Sequence, residues 1–134
     1  MRLTTFTEYA LRLLVHLARC PDRFVTIKDI AEAEGMSANH LMKVAQHLSA
    51  AGDVQTLRGP RGGLRLSRPA EAIHVGDIVR RTEPDISPAA GHAAGNGAAP
   101  TIDRTIGAAV EAFMAVLDSV SVADLAAETE TVAR

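Results

Sequence analysis

The residues best suited to bind an anion lie in the segment RGPRGG, residues 58–63. Arg58 and Arg61 carry guanidinium groups, which bind phosphate, and the neighbouring glycines let the backbone approach a duplex closely. Arginine in a narrow minor groove is also a recurrent way of reading A·T-rich DNA shape. We therefore predict that Arg58 and Arg61 contact DNA and that Arg65 adds attraction for phosphates. The alternative is a turn that requires glycine and carries surface arginines.

A second polar group precedes this segment at helical spacing. An apolar stripe of Leu41, Val44 and Leu48 fixes the inward face of one helix, so its opposite face points outward. Candidate DNA contacts on or near that outward face are Ser37, Asn39, His40 and Lys43. Asparagine pairs with adenine, and serine or lysine contacts bases or phosphates. For His40, a partly buried position on the helix is an equally good interpretation.

Two short helices, a tight turn and a hairpin must position these side chains. Thr26 is a good N-cap for the first helix, Gly35 suits its end, and Ser37 caps the second. Val54 and Thr56, then Leu64 and Leu66, alternate as two strands do. This order predicts a winged helix-turn-helix, which binds DNA. Near predicted helix starts, Thr4, Thr26 and Lys28 are further candidate donors to phosphate.

The flanking segments complete a mainly α fold with a small β-hairpin wing. Apolar spacing predicts a first helix over residues 4–19, a fourth over 74–81, a long helix over 102–120, and a short helix starting at Ser121. Proline and glycine dominate the stretch before the long helix, which predicts a loop. We expect three parts: a DNA-binding domain over 1–81, a loop over 82–101, and a dimerisation helix with its tail over 102–134.

The apolar face of the long helix exceeds what so small a core requires. The residues that we expect to contact the same helix of a second chain are Ile106, Val110, Phe113, Met114 and Leu117. A two-fold homodimer is the natural use of such a face. The alternative is that the helix folds back onto its own domain.

Composition narrows the class of protein. Of the 134 residues, 1–81 carry 12 Lys and Arg against 8 Asp and Glu, whereas 82–134 carry 2 against 8. A basic front half is expected where one end of a protein meets phosphates. No apolar run is long enough to span a membrane, and the single Cys20 fits a reducing compartment, so we expect a cytoplasmic protein. No nucleophile–base pair or phosphate loop is visible, so we expect no enzyme.

Four motifs together resemble the Rrf2 family of bacterial transcription regulators: MRLTTFTEYALRLLVHLA, VTIKDIAEAEGMSANHLMKV, RGPRGGLRL and HVGDIVRRTEPD. The likeness covers nearly the whole chain, as far as VADL at 122–125, and is greatest to the nitric-oxide-responsive repressors. It implies a homodimeric winged-helix repressor that binds a palindromic promoter site and dimerises through the long helix. A second hypothesis is a protein-interaction module that keeps the fold and responds through a partner protein or a small molecule.

Many members of this family hold an iron–sulfur cluster on three cysteines in the loop. By position those cysteines correspond here to Ala90, Gly97 and Asp103. Glu8 matches an acidic position that supplies a further ligand in some relatives. Because such clusters need thiolates, we predict that this chain has no cluster and no other cofactor.

The signal that the protein senses is left open by the sequence. Glu8, His92 and Asp103 are candidate ligands of a metal site across a dimer, although they lack tight spacing. Cys20 is a candidate redox switch, but a single cysteine at the end of an apolar helix is more typical of packing. A small molecule or a protein partner is the remaining alternative.

Overall fold

The computed structural model describes residues 1–86 and 100–132. Its helices are α1 (Thr5–Ala18), α2 (Ile27–Glu34), α3 (Ala38–Ala50), α4 (Val75–Thr82), α5 (Pro100–Asp118) and α6 (Val122–Val132). Two strands, β1 (Val54–Leu57) and β2 (Gly63–Leu66), form an antiparallel hairpin, and short 3-10 turns lie at Ala70–Ala72 and Pro84–Ile86. The mainly α fold with a hairpin wing is confirmed.

Each of the first three helices begins at a hydroxyl side chain. Thr4 accepts a hydrogen bond from the Thr7 amide, Thr26 from that of Asp29, and Ser37 from that of His40. These caps satisfy amides that lack partners inside the helix. Gly35 ends α2 at φ 65°, which only glycine adopts readily, and so makes the tight turn into α3.

The core lies between α1 and α3. Leu13, Leu14 and Leu17 of α1 are fully buried, as are Leu41 and Leu48 of α3. Burial of this apolar stripe is what fixes the rotation of α3 about its axis, because burying each such side chain contributes about 1.5–3 kcal/mol. The opposite face of α3 is therefore held toward solvent.

The hairpin is anchored to the start of α2. Val54 pairs with Leu66 and Leu57 with Gly63. Val25 exchanges two backbone hydrogen bonds with Leu64, of 2.9 and 2.7 Å, and so extends the hairpin by one bridge. Gly63 permits this approach, since a Cβ there would lie 2.5 Å from the Val25 carbonyl oxygen.

The carboxyl-terminal helices pack onto the first part of the chain. Met114 of α5 is buried with Val75 and Val79 of α4, and α6 packs against α1. Of the predicted 82–101 loop, Thr82 ends α4, Pro84–Ile86 is a 3-10 turn, and α5 begins at Pro100. Residues 87–99 lie outside the described part of the chain. Among the described helices, none has both the length and the apolar character needed to cross a membrane.

Candidate nucleic-acid interface

The outward face of α3 is polar and open. Asn39 and Lys43 are exposed, and so is Ser37 at the helix cap. Gln46, two turns beyond Asn39 and one turn beyond Met42, extends the same exposed face, as the apolar stripe on the opposite side of the helix indicates. The arrangement presents amide and ammonium groups of the kind that pair with base edges and phosphates.

The wing arginines lie at the tip of the hairpin, where glycine is required by the geometry. Gly59 has φ 110°, and a Cβ on Gly62 would lie 2.1 Å from the Leu57 carbonyl oxygen. Arg58 and Arg61 are both exposed. Within residues 1–86 and 100–132, no ion pair or hydrogen bond engages either guanidinium group. Both are thus available to an external anion.

Other arginines near the wing have structural contacts. The guanidinium of Arg65 lies 4.5 Å from the centre of the Phe24 ring, a cation–π contact that holds it against the protein. Asp53, only 1% exposed, accepts hydrogen bonds from Arg68, at 2.8 Å, and from Arg81 of α4. This buried carboxylate joins the base of the wing to α4. Neither the cation–π contact nor the Asp53 site was foreseen from the sequence.

Thr4, predicted to donate to phosphate, is exposed but has a hydrogen-bond partner within the protein. Its amide and its hydroxyl donate to the same carboxylate oxygen of Glu83, at 2.6 and 2.8 Å. Glu83 is 7% exposed and follows α4, so the contact joins the end of α4 to the start of α1. Thr26 and Lys28 at the start of α2 are exposed, as a phosphate contact requires.

His40 is partly buried against aromatic residues of α1, in agreement with the alternative to a base contact that the sequence left open. It is half-buried, with its ring centre 4.7 Å from that of Tyr9 and 6.2 Å from that of Phe6. His47 packs edge-on against Phe6 at 5.4 Å. The Tyr9 hydroxyl accepts a hydrogen bond from the Ser37 amide at 3.2 Å. Aromatic residues of α1 thereby set the orientation of the amino-terminal end of α3.

A set of polar contacts holds α2 against α1. Arg12 donates to the backbone carbonyl of Glu34 and also lies 3.3 Å from its carboxylate. His16 Nδ1 lies 2.9 Å from the same carboxylate. Burial raises the pKa of the Glu34 carboxyl, but the contacts with His16 and Arg12 outweigh it and lower that pKa below its usual value. These contacts therefore hold the carboxyl-terminal end of α2, which leads into the turn, against α1.

Replacing Glu83 with glutamine should destabilise the protein at neutral pH. Burial raises the pKa of the Glu83 carboxyl, but hydrogen bonds from Thr7 and Thr4 hold it below its ordinary value of 4.5. A lowered folded-state pKa stabilises above about pH 4.5, and this contribution is lost as the pH falls through the folded-state pKa. We expect Glu83→Gln to lower the free energy of unfolding by about 1–2 kcal/mol at pH 7.

Urea titrations at pH 7 and at acidic pH would test this. The difference between wild type and Glu83→Gln should shrink at acidic pH, and a Glu71→Gln control at an exposed position should change little. A Glu83→Gln deficit that is independent of pH would contradict the assignment.

Some apolar side chains of α5 face solvent, whereas others pack against α4 of the same chain. Ile102, Ile106 and Val116 are 66%, 54% and 64% exposed. Of the other residues predicted to form a dimer contact, Val110, Phe113 and Leu117 are half-buried. Met114 is 4% exposed and packs against α4, so it belongs mainly to the core of its own chain.

The candidate metal ligands are not brought together within the described part of the chain. There, no three His, Cys, Asp or Glu side chains form a cluster able to hold a metal ion. Glu8 is exposed and lies 3.7 Å from Arg12. Cys20 is half-buried beyond the end of α1, where Arg23 donates to its sulfur at 3.6 Å. Ala90, His92 and Gly97 lie outside the described residues, and Asp103 is half-buried on α5.

The fold and this surface define a winged-helix DNA-binding regulator of transcription. The model of the Rrf2 family, described as iron-dependent transcriptional regulators, matches residues 3–128, and the chain belongs to that family. Because members of the family are transcriptional regulators, it is not an enzyme.

Solved structures of family members resemble it over nearly their whole length. CymR (YrzC), the global cysteine regulator of B. subtilis, is 29% identical with a TM-score of 0.83, over 96% of this chain and 98% of that one. IscR of T. potens is 28% identical with a TM-score of 0.83, over 98% and 90%. CymR of Staphylococcus aureus is 30% identical with a TM-score of 0.76, over 92% and 96%.

Proposed function

We propose that this protein is a homodimeric repressor that binds a palindromic promoter site in the cytoplasm without an iron–sulfur cluster. The observation that carries the proposal is the exposed polar edge of α3 beside two arginines, Arg58 and Arg61, that lack partners within the described chain. A buried core and the Asp53 contacts hold both groups in place. In a dimer, two such helices would address one face of the duplex about one helical turn, roughly 34 Å, apart.

Specific binding would be tested by fluorescence anisotropy with a labelled DNA duplex from the region upstream of the protein's own gene. We expect affinity on the order of 10³-fold or more above that for a scrambled duplex. The logarithm of the binding constant should fall linearly with the logarithm of the salt concentration, because bound counterions are released from the phosphates. Equal or absent binding of both duplexes would contradict the proposal and favour a module that acts through a partner protein.

The outward face of α5 supports the homodimer. Ile102, Ile106 and Val116 lie on it together with Ala109 and Phe113, in alternating steps of four and three residues. This is the spacing of a coiled-coil seam, in which two helices interdigitate. The seam is rotated away from Met114, so the proposed interface centres on Ile106 and Phe113.

A charge on this seam should separate the two chains. We expect Ile106→Glu to sediment as a monomer at micromolar concentration, since an interface would bury an unpaired carboxylate. Ala108→Glu, at an exposed position of α5 off the seam, should remain a dimer. Equal sedimentation of Ile106→Glu and wild type would exclude this face.

The donor set does not fit an iron–sulfur cluster. The chain has one cysteine, and Cys20 lies beyond the end of α1, whereas a cluster is held by several thiolates. After anaerobic incubation with iron and sulfide, we expect no visible charge-transfer bands and no bound iron, in wild type and in Cys20→Ser alike. Although the sequence resembles the nitric-oxide-responsive branch of the family, a protein without a cluster should bind its operator with the same affinity in the presence of nitric oxide. Visible bands after desalting would contradict this.

A further inference from the structure

Met42 is an apolar side chain on the polar outward face of α3. It is 49% exposed, and it stands between Asn39 and Gln46 at spacings of three and four residues, which place all three on one face of the helix. The buried stripe of α3 is complete without it, since Leu41, Val44, Ala45 and Leu48 supply the contacts with the core. The side chain of Met42 is therefore not needed to hold α3 in place.

The side chain lies on the flank of α3 that faces the wing. Met42 and Gln46 line one wall of a groove of about 490 Å³, and Thr56 and Arg58 of the hairpin line the other. Lys43, the next residue along the helix, is exposed on the opposite flank. If α3 enters the major groove with this face, the apolar side chain of Met42 is brought to the base edges together with its polar neighbours Asn39 and Gln46.

We propose that Met42 reads the C5 methyl group of a thymine in each half of the operator, an inference that rests on the proposed function. Among the groups that base pairs present in the major groove, the thymine methyl is the apolar one. Methionine suits it, because its flexible and polarizable thioether adapts to a small apolar partner. Covering one methyl corresponds to roughly a fourfold gain in affinity, and two half-sites to roughly fifteenfold.

The test removes only that methyl group. An operator is first selected from a random duplex library with wild-type protein, and each thymine is then replaced in turn by deoxyuridine in both half-sites. At one thymine per half-site, wild type should lose roughly tenfold or more in affinity. Met42→Gln, which keeps an exposed helix-forming side chain, should bind the thymine and uracil duplexes equally.

Lys43→Gln provides the matched control on the neighbouring position. It should lower the affinity for both duplexes and keep the wild-type ratio between them. If a sequence is enriched but no thymine shows a methyl effect that depends on Met42, this inference is wrong and the proposed function stands. If the library yields no enriched sequence, both are wrong.

Discussion

Replacing Arg61 with alanine is expected to weaken specific operator binding by roughly 30-fold or more, while the protein stays folded and dimeric. Arg61 is exposed at the tip of the hairpin and has no partner within the described residues, so its removal disturbs no internal contact. An arginine contact with DNA contributes about 1–3 kcal/mol, and a dimer has two of them. The slope of log affinity against log salt should fall by about one for each phosphate that the variant no longer neutralises.

The control for this variant removes the same charge from another surface. Arg19 is exposed and lies beside a groove that contains Leu125 and Glu128, on the α6 side of α1. Arg19→Ala should bind the operator within about twofold of wild type, because Arg19 lines the groove beside α6 and not the groove between α3 and the wing. If Arg61→Ala matched Arg19→Ala in affinity and salt dependence, the wing would have no part in binding.

Replacing Asp53 with alanine is expected to cost about 2–3 kcal/mol of unfolding free energy. The carboxylate is 1% exposed and accepts hydrogen bonds from Arg68 and Arg81. Removal of one partner from a buried ion pair costs about 3–5 kcal/mol. Here the side chains of Arg68 and Arg81 are 42% and 32% exposed, so water offsets part of this cost. Operator affinity should fall too, because Asp53 joins the wing to α4.

Asp77 provides the control for Asp53, because it is an aspartate that pairs with an arginine at the protein surface. It lies on α4, is 55% exposed, and is 3.5 Å from Arg80. Surface pairs of this kind contribute about 0–1 kcal/mol, so Asp77→Ala should unfold in urea almost as wild type does. Similar destabilisation in the two variants would show that the Asp53 contacts add no more than a surface ion pair.

Local signals made the helix-turn-helix predictable. Thr26, Gly35 and Ser37 cap the helices through hydrogen bonds to residues only three or four positions away. The sequence alone therefore indicates where these helices begin and end. The wing was predictable for a similar reason, since RGPRGG lies between two alternating segments. The exposed positions of Asn39 and Lys43 follow from the apolar stripe on the same helix.

Contacts between distant segments could not be predicted in the same way. Thr4 and Glu83 are 79 positions apart, and Asp53 and Arg81 are 28 apart. No periodicity links such pairs, so the contact between Thr4 and Glu83 was not predicted. The rotation of α5 is a similar case, because packing of Met114 against α4 decides which apolar residues remain outside.

Hydroxyl-radical footprinting on the selected operator tests the central claim most directly, since it shows which sugars the protein covers. We predict two protected segments related by two-fold symmetry about one helical turn apart, each with a flanking minor-groove protection that Arg61→Ala removes. A footprint without two-fold symmetry, or flanks that Arg61→Ala leaves intact, would contradict the joint action of α3 and the wing.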